Sequence, residues 1–252
     1  MKTSSEHLFQ FELYPIETIC PWSNSEGQLT LSLYILTDGN FKISVGNEAL
    51  LQYTPEIISH WKLNNKFAEY TVVCFARDIL GAVSATVSPI PVFFEKLIKD
   101  ESLFDRLINC SSGNTLVPSN VLNELEIQNP NPDFDDDRYN AFRWHGERSI
   151  WLNYLTHSPN ISFIRIGNEI KIRWDNHNNR HEGINVWTTT QGSFTISVKD
   201  FIQECHSFSK RLLSEMEIII KNIENGLSHP KIPLDVESLR IQHRGFKEEF
   251  KK

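Results

Sequence analysis

Residues 161–174 read ISFIRIGNEIKIRW and decide the fold class of this chain. Apolar residues recur at alternating positions on both sides of Gly167-Asn168, a pattern that is typical of half-buried strands. Because Gly and Asn tolerate the backbone of a tight two-residue turn, we predict an antiparallel hairpin here. A further turn is predicted at Gln191-Gly192, and it leads into a strand from Phe194 to Val198.

The sequence after this sheet predicts the longest helix of the chain, from Lys199 to about Asn225. Its apolar residues recur at steps of three and four and therefore share one face. They are Phe201, Cys205, Phe208, Leu212, Met216, Ile219 and Ile223. Ser197 is suited to accept hydrogen bonds from the first free amide groups, and Gly226 suits the C-terminal cap.

The N-terminal part shows the same alternation and predicts an antiparallel meander. Strands are predicted at residues 8–13, 29–35, 41–45 and 50–53. Asp38-Gly39 predicts the hairpin turn between the second and third of them, because both residues of such a turn need positive φ. Gly46-Asn47 predicts the next turn.

Helices are predicted after this meander. Thr54 and Pro55 suit the N-cap and the first turn of one helix. The apolar residues from Phe67 to Val87 predict a second helix that is buried on most sides, and Pro89 ends it. Two short helices are predicted at residues 92–99 and 102–108.

Arg77 and Asp78 interrupt the apolar stripe of the second of these helices. A charge on a buried helix requires a partner of opposite charge, because an unpaired charge in an apolar environment is costly. We therefore predict that Arg77 or Asp78 takes part in a structural ion pair.

These patterns divide the chain into four parts and predict an α+β fold. The parts are an N-terminal α+β half (1–112), a connecting loop (113–137), a C-terminal α+β half (138–226) and a charged tail (227–252). Each half has antiparallel hairpins followed by a long covering helix. Both carry a Gly-Asn turn in a similar six-residue phrase, which fits either an ancient duplication or repeated use of a favoured turn. The tail is either a helix docked through Leu239, Ile241 and Phe246 or a mobile segment.

The composition is that of a globular protein and excludes several classes. The 252 residues are 40% hydrophobic and 23% charged, which is enough for a sizeable core. The 32 acidic and 25 basic residues give a net charge of -7, which argues against nucleic-acid binding. No secretory signal opens the chain, and its longest apolar stretch is too short for a membrane span. The four cysteines form no CxxC pair, so we expect reduced thiols in a cytoplasmic protein.

Common catalytic and cofactor motifs are missing from the sequence. It has no GxGxxG after a strand, no P-loop, no GxSxG, no HExxH and no Cys/His cluster, so no cofactor and no metal are predicted. His177 and His181 have the four-residue spacing of two zinc ligands on a helix. They lie in a polar loop composition, however, and a solvent-exposed hairpin loop is the preferred interpretation.

A run of aspartates in the connecting loop is the candidate partner-binding site. Its members are Asp133, Asp135, Asp136 and Asp137. A calcium-binding loop is excluded, since Arg138 and Trp144 occupy the positions of its glycine and glutamate. The run is either a solvated loop before a helix or a negative patch that binds a basic partner.

Residues 143–148 contain several ionisable side chains close together in the sequence. His145 and Glu147 could form a general acid–base pair next to Arg148. The preferred interpretation is a structural tie between the halves, in which Arg148 pairs with a carboxylate and Trp144 and Trp151 are packed.

Short motifs in a consistent order connect the chain with a family. They are Phe9-x-Phe11-x-Leu13-x-Pro15-Ile16, Pro21-Trp22, Leu36-Thr37-Asp38-Gly39, Ile43-x-Val45-Gly46, Arg143-Trp144 with Arg148, Pro159-Asn160-Ile161, Ile170-Lys171-Ile172-Arg173-Trp174 and Phe201 to Met216. In this order they resemble the bacterial domain-of-unknown-function family 5984. The resemblance covers most of residues 6–225, leaves out the tail from Leu227, and departs from the family at Ser23, where a glycine is usual.

The resemblance implies a small cytoplasmic protein without a settled activity, and some members of the family look like immunity proteins that neutralise toxins. We therefore expect a non-catalytic protein-binding module, most concretely a bacterial immunity-type protein that binds its cognate toxin directly. The four aspartates would meet a basic toxin. The alternative is an enzyme with a site around Trp144–Arg148, with His145 and Glu147 as its acid and base.

Overall fold

Antiparallel sheets packed against long helices make up the parts of the chain that the computed structural model describes, residues 7–88 and 143–251. The predicted short helices at 92–99 and 102–108 and the predicted connecting loop at 113–137 lie outside these residues. The α+β class is confirmed, because antiparallel strands and long helices alternate along both described segments.

The first sheet is built around one long strand. The strands of residues 7–88 are β1 (Phe9–Leu13), β2 (Trp22–Ser23), β3 (Leu29–Thr30), β4 (Asp38–Val45), β5 (Glu48–Leu50) and β6 (Ala68–Thr71). The middle of β4 pairs with the whole of β1, and its two ends pair with β5 and β6, always antiparallel. β2 and β3 form a separate hairpin. The turn predicted at Gly46-Asn47 is confirmed, and Gly46 has a φ of 62°.

The second sheet contains the hairpin predicted at Gly167-Asn168. Its strands and those of a small neighbouring hairpin are β7 (Ile161–Ile166), β8 (Glu169–Asp175), β9 (Arg180–His181), β10 (Ile184–Asn185) and β11 (Gln191–Ser197). β8 lies between β7 and β11, and β9 pairs with β10. Gly167 adopts a φ of 60°, which explains why a glycine occupies the turn.

Four helices of at least seven residues follow the strands in the described segments. They are α1 (Pro55–Trp61), α2 (Val72–Val87), α3 (Val198–Glu224) and α4 (Val236–Glu249). The predicted caps are confirmed, since the Thr54 side chain accepts a hydrogen bond from the Ile57 amide and Ser197 accepts one from the Asp200 amide. In residues 7–88 and 143–251, no helix has the combination of length and hydropathy that a bilayer span needs.

A cluster of phenylalanine rings joins the two sheets in one hydrophobic core. Phe9 of β1 lies 6.4 Å from Phe163 of β7 and 5.5 Å from Phe208 of α3, measured between ring centroids. Phe208 also contacts Phe41 of β4 at 5.5 Å. The helix that follows the second sheet in sequence therefore packs against the first sheet, and both predicted halves share this core.

The prediction of a strand over 29–35 is wrong beyond Thr30. Leu31 and Leu33 are buried as the alternation suggested, but residues 31–34 pair with no strand and Ile35–Thr37 forms a 3-10 turn. The Leu33 amide donates instead to the Gln242 side chain of α4, at 2.8 Å. Alternating burial thus arose in a segment that turns at Leu33 and Tyr34 and packs against the core without pairing as a strand.

The predicted turn at Asp38-Gly39 is also wrong, because both residues lie inside β4 and Gly39 pairs with Leu13 of β1. The helix predicted from Phe67 begins later, at Val72. Residues Ala68–Thr71 form β6 because they pair with β4, a contact that local periodicity does not reveal. Gln191-Gly192 is the start of β11 and not a turn.

The tail contains a docked helix, which decides between the two alternatives left open by the sequence. Leu239 and Phe246 of α4 are buried, whereas Ile241 is 54% exposed and does not dock the helix as predicted. The ion pair predicted for Arg77 is confirmed and also holds α4, since its guanidinium donates to both carboxylate oxygens of Glu249 at 2.7 and 2.9 Å. Burial raises the pKa of Asp78, the neighbour of Arg77, to about 6.

Candidate functional site

The predicted partner-binding aspartates lie outside the described residues. They are Asp133, Asp135, Asp136 and Asp137. Their interpretation as a negative patch therefore stays a prediction from the sequence.

The predicted alternative site is placed at the end of a helical segment, residues 143–146. Arg148 is buried, donates from Nη1 to the Trp144 carbonyl at 2.9 Å, and lies over the Trp144 ring at 4.2 Å. This burial lowers the pKa of the guanidinium. Glu147 accepts a hydrogen bond from Arg143 at 2.9 Å on the surface, and the His145 carbonyl accepts one from Ser149.

These contacts give His145, Glu147 and Arg148 separate partners. The Arg148 carbonyl accepts a hydrogen bond from Phe163 of β7 at 2.8 Å, so the segment is fixed to the second sheet. The geometry thus favours a structural role, with a backbone carbonyl in the place of the carboxylate expected for Arg148, but these contacts lie within the C-terminal half and leave the tie between the halves a prediction. Trp151 is 52% exposed and donates from Nε1 to the Gly146 carbonyl, so its packing is only partial.

A different cluster of ionisable side chains forms where α1 meets the β9–β10 hairpin, and we call it the histidine cluster. It consists of His60, His157, His181 and Glu182. His60 lies in the last turn of α1, His181 ends β9, and Glu182 follows in the hairpin turn. His157 lies in the loop before β7. Three separate parts of the fold therefore supply these side chains.

Distances within the histidine cluster are short. One potential ligand atom from each of His60, His181 and Glu182 lies within 4.8 Å of the other two. His60 Nε2 is 3.5 Å from Glu182 Oε2, and His157 Nε2 is 3.1 Å from His181 Nδ1. Imidazole nitrogens and a carboxylate oxygen are ligands that zinc and related transition metals prefer.

Aromatic rings hold the histidine cluster in place. Trp61 stacks on His157 with a centroid distance of 6.1 Å and meets the edge of His181 at 5.1 Å. Trp187, which is buried, donates from Nε1 to the His157 carbonyl at 3.1 Å. His157 and His181 are half-buried as a result, whereas His60 and Glu182 face solvent.

Two residues of the histidine cluster, His157 and Glu182, have left-handed backbone conformations, which are uncommon for residues other than glycine. Glu182 has a φ of 49° and Gly183 a φ of 85°, so they form the two-residue turn between β9 and β10. Asn or Asp usually precedes the glycine of such turns, and a left-handed residue with a larger side chain costs about 1–2 kcal/mol. His157 is also left-handed, with a φ of 61°. Tertiary contacts must offset this strain.

The sequence did not predict the histidine cluster. Only the spacing of His177 and His181 was visible, and the structure separates these two residues. His177 contacts Asp175 on the surface, while His181 turns to His60 and His157. Because its members come from distant segments of the chain, no local sequence motif predicts the cluster.

The described residues thus combine two antiparallel sheets of three and four strands, two small hairpins and long helices, and the histidine cluster lies where α1 meets the β9–β10 hairpin. A model of a family of unknown function, DUF5984, matches residues 8–252. The chain belongs to this family. The match includes the tail from Leu227, which the resemblance of the short motifs had left out. No curated protein and no solved structure matches the chain.

Proposed function

We propose that the protein is a non-catalytic protein-binding module of the cytoplasm, an immunity-type protein that neutralises a basic toxin by direct binding. One observation carries this proposal. The β2–β3 hairpin exposes an apolar side chain on each of its faces, Trp22 at 50% and Leu29 at 49% exposure. Tryptophan is enriched among the residues that anchor protein interfaces.

Charge and chemistry add support to this proposal. The net charge of -7 favours rapid encounter with a basic partner. Cys20, Cys74 and Cys205 are free thiols, as expected in a reducing compartment. The enzyme alternative has less support, since Glu147 and Arg148 have structural partners of their own.

Affinity capture from the native host with the full chain as bait tests the proposal. We expect one stoichiometric basic partner, whose Kd rises about 30-fold or more for Trp22→Ser, the effect of losing an interface anchor. Replacing Asp133, Asp135, Asp136 and Asp137 by Asn should also weaken binding, most strongly at low salt.

Ile241→Ser is the matched control, because Ile241 is equally exposed but lies on α4. Its complex should keep the wild-type Kd. A partner that binds the wild type, the Trp22 variant and the aspartate variant with equal affinity would contradict the proposed surface. If no stoichiometric partner is recovered, the proposal that the protein is a protein-binding module is contradicted.

A further inference from the structure

We propose that the histidine cluster binds one divalent transition-metal ion of the zinc type, with His60, His181 and Glu182 as its ligands. This inference is independent of the proposed function. Two imidazoles and one carboxylate with an open fourth position form a known donor set for zinc. The nitrogen ligands disfavour Ca²⁺ and Mg²⁺, which are bound by oxygen.

The observed distances are within reach of a tetrahedral ion. Bonds of about 2.0–2.1 Å to zinc place neighbouring ligand atoms about 3.3 Å apart. His60 Nε2 and Glu182 Oε2 are 3.5 Å apart, and a ring nitrogen of His181 lies within 4.8 Å of a ligand atom of each of these residues. Small side-chain rotations therefore bring all three ligands to one ion.

His157 is a positioning residue in this site. Its Nε2 contacts His181 Nδ1 at 3.1 Å, and coordination through Nε2 of His181 would keep this contact. Its ring stacks on Trp61, and its backbone is held by the Trp187 hydrogen bond to its carbonyl. A partner that orients a metal-binding histidine typically changes the affinity of the site 10–100-fold.

An ion at this position would connect the two predicted halves. The same junction already contains the stack of Tyr53 on Trp187, with ring centroids 4.8 Å apart. The Thr54 amide donates to the Val186 carbonyl at 3.0 Å, and the Thr188 amide donates to the Gln52 carbonyl at 2.9 Å. Coordination by His60 on one side and by the β9–β10 hairpin on the other would reinforce these contacts.

The unusual turn residue supports the same assignment. Glu182 occupies a left-handed position where Asn or Asp is normally preferred. Its side chain is 70% exposed, so packing does not explain the choice. The glutamate side chain is long enough to bring its carboxylate next to His60, as a shared metal ligand requires.

Calorimetric titration of the chelator-treated full chain with ZnCl₂ tests the proposal. We expect one ion per chain, and a visible absorption spectrum of tetrahedral type when Co²⁺ replaces zinc. His60→Ala and Glu182→Gln should each raise the Kd at least 100-fold, and His157→Ala should raise it 10–100-fold. His60 and Glu182 are exposed, so circular dichroism should confirm that these variants stay folded.

His177→Ala is the matched control, because His177 lies four residues before His181 but contacts Asp175. Its Kd should equal that of the wild type. Zinc at a hundredfold excess over Kd should raise the melting temperature of the wild type by about 5–10 °C and leave that of the His60 variant unchanged. Absence of binding, equal binding by His60→Ala, or loss of binding in His177→Ala would overturn the proposal.

Discussion

Gly39 shows why a single missing side chain matters inside a sheet. It lies in β4 opposite Leu13, and a Cβ atom there would lie 2.1 Å from the Glu12 carbonyl oxygen and 2.9 Å from Leu13 Cα. Both are backbone atoms, so no side-chain rotation relieves the clash. The glycine is required by the close approach of β1 to β4.

Gly39→Ala is therefore expected to destabilise the protein by about 1–3 kcal/mol or more, because the strands must separate to accommodate the methyl group. The free energy of unfolding, measured by urea denaturation, checks this. Gly81→Ala is the control: a Cβ there meets nothing within 4 Å, and alanine in α2 should stabilise by about 0.5–1 kcal/mol. A Gly39 variant as stable as the wild type would refute the close-approach argument.

Glycine also marks the limit of turn prediction at the residue scale. Gly46 and Gly167 lie in turns with positive φ, as their Gly-Asn pairs predicted. Gly39 and Gly192 lie in strands, where they allow the approach of a neighbouring strand and of the Trp174 ring. Glycine therefore occurs both in turns and at close approaches within strands, and the neighbouring residues in the sequence do not distinguish the two cases.

At the scale of the element, the buried face of α4 includes a polar residue and is therefore hard to recognise in the sequence. Leu239, His243 and Phe246 are spaced by four and three residues and are all buried. His243 Nδ1 lies 3.1 Å from the Glu217 carboxylate, and its Nε2 lies 3.0 Å from the Leu213 carbonyl. Burial lowers the pKa of this histidine. Because the polar His243 belongs to this buried face, the apolar Ile241 was predicted to dock the helix instead.

Two leucine-sized side chains of α4 allow a direct test of this packing. Leu239→Ala should lower the free energy of unfolding by about 2–5 kcal/mol, since it leaves a cavity between α4 and the core. Ile241→Ala, on the exposed face, should change it by less than about 0.5 kcal/mol. Chemical denaturation of both variants measures the difference. Equal effects would mean that α4 is not docked through the Leu239 face.

Elements fixed by local contacts were predictable, and elements fixed by distant contacts were not. The hairpin at Gly167-Asn168, the caps of α1 and α3 and the course of α3 follow from residues within one or two turns. β6 exists because it pairs with β4, about 30 residues earlier in the chain. The histidine cluster extends from His60 to Glu182, so its geometry depends on the complete fold.

At the scale of the molecule, the core extends across both predicted halves. Phe9 comes from the first sheet and Phe163 from the second, and their rings meet edge to face at 85°. Both are fully buried. A shared core means that neither sheet can lose its packing without exposing apolar surface of the other. We therefore expect residues 7–88 and 143–251 to unfold together.

A double-mutant cycle on Phe9→Leu and Phe163→Leu tests this coupling. Each variant should shift one and the same transition to lower urea concentration, and the pair should deviate from additivity by about 0.5–1.5 kcal/mol because the rings touch. Circular dichroism and tryptophan fluorescence should report coincident unfolding curves.

Phe163→Leu combined with Phe246→Leu is the control, since the ring of Phe246 packs on Tyr34 and Phe250. That pair should be additive within about 0.5 kcal/mol. Two separate transitions, one moved by each variant, would mean that the halves are independent domains.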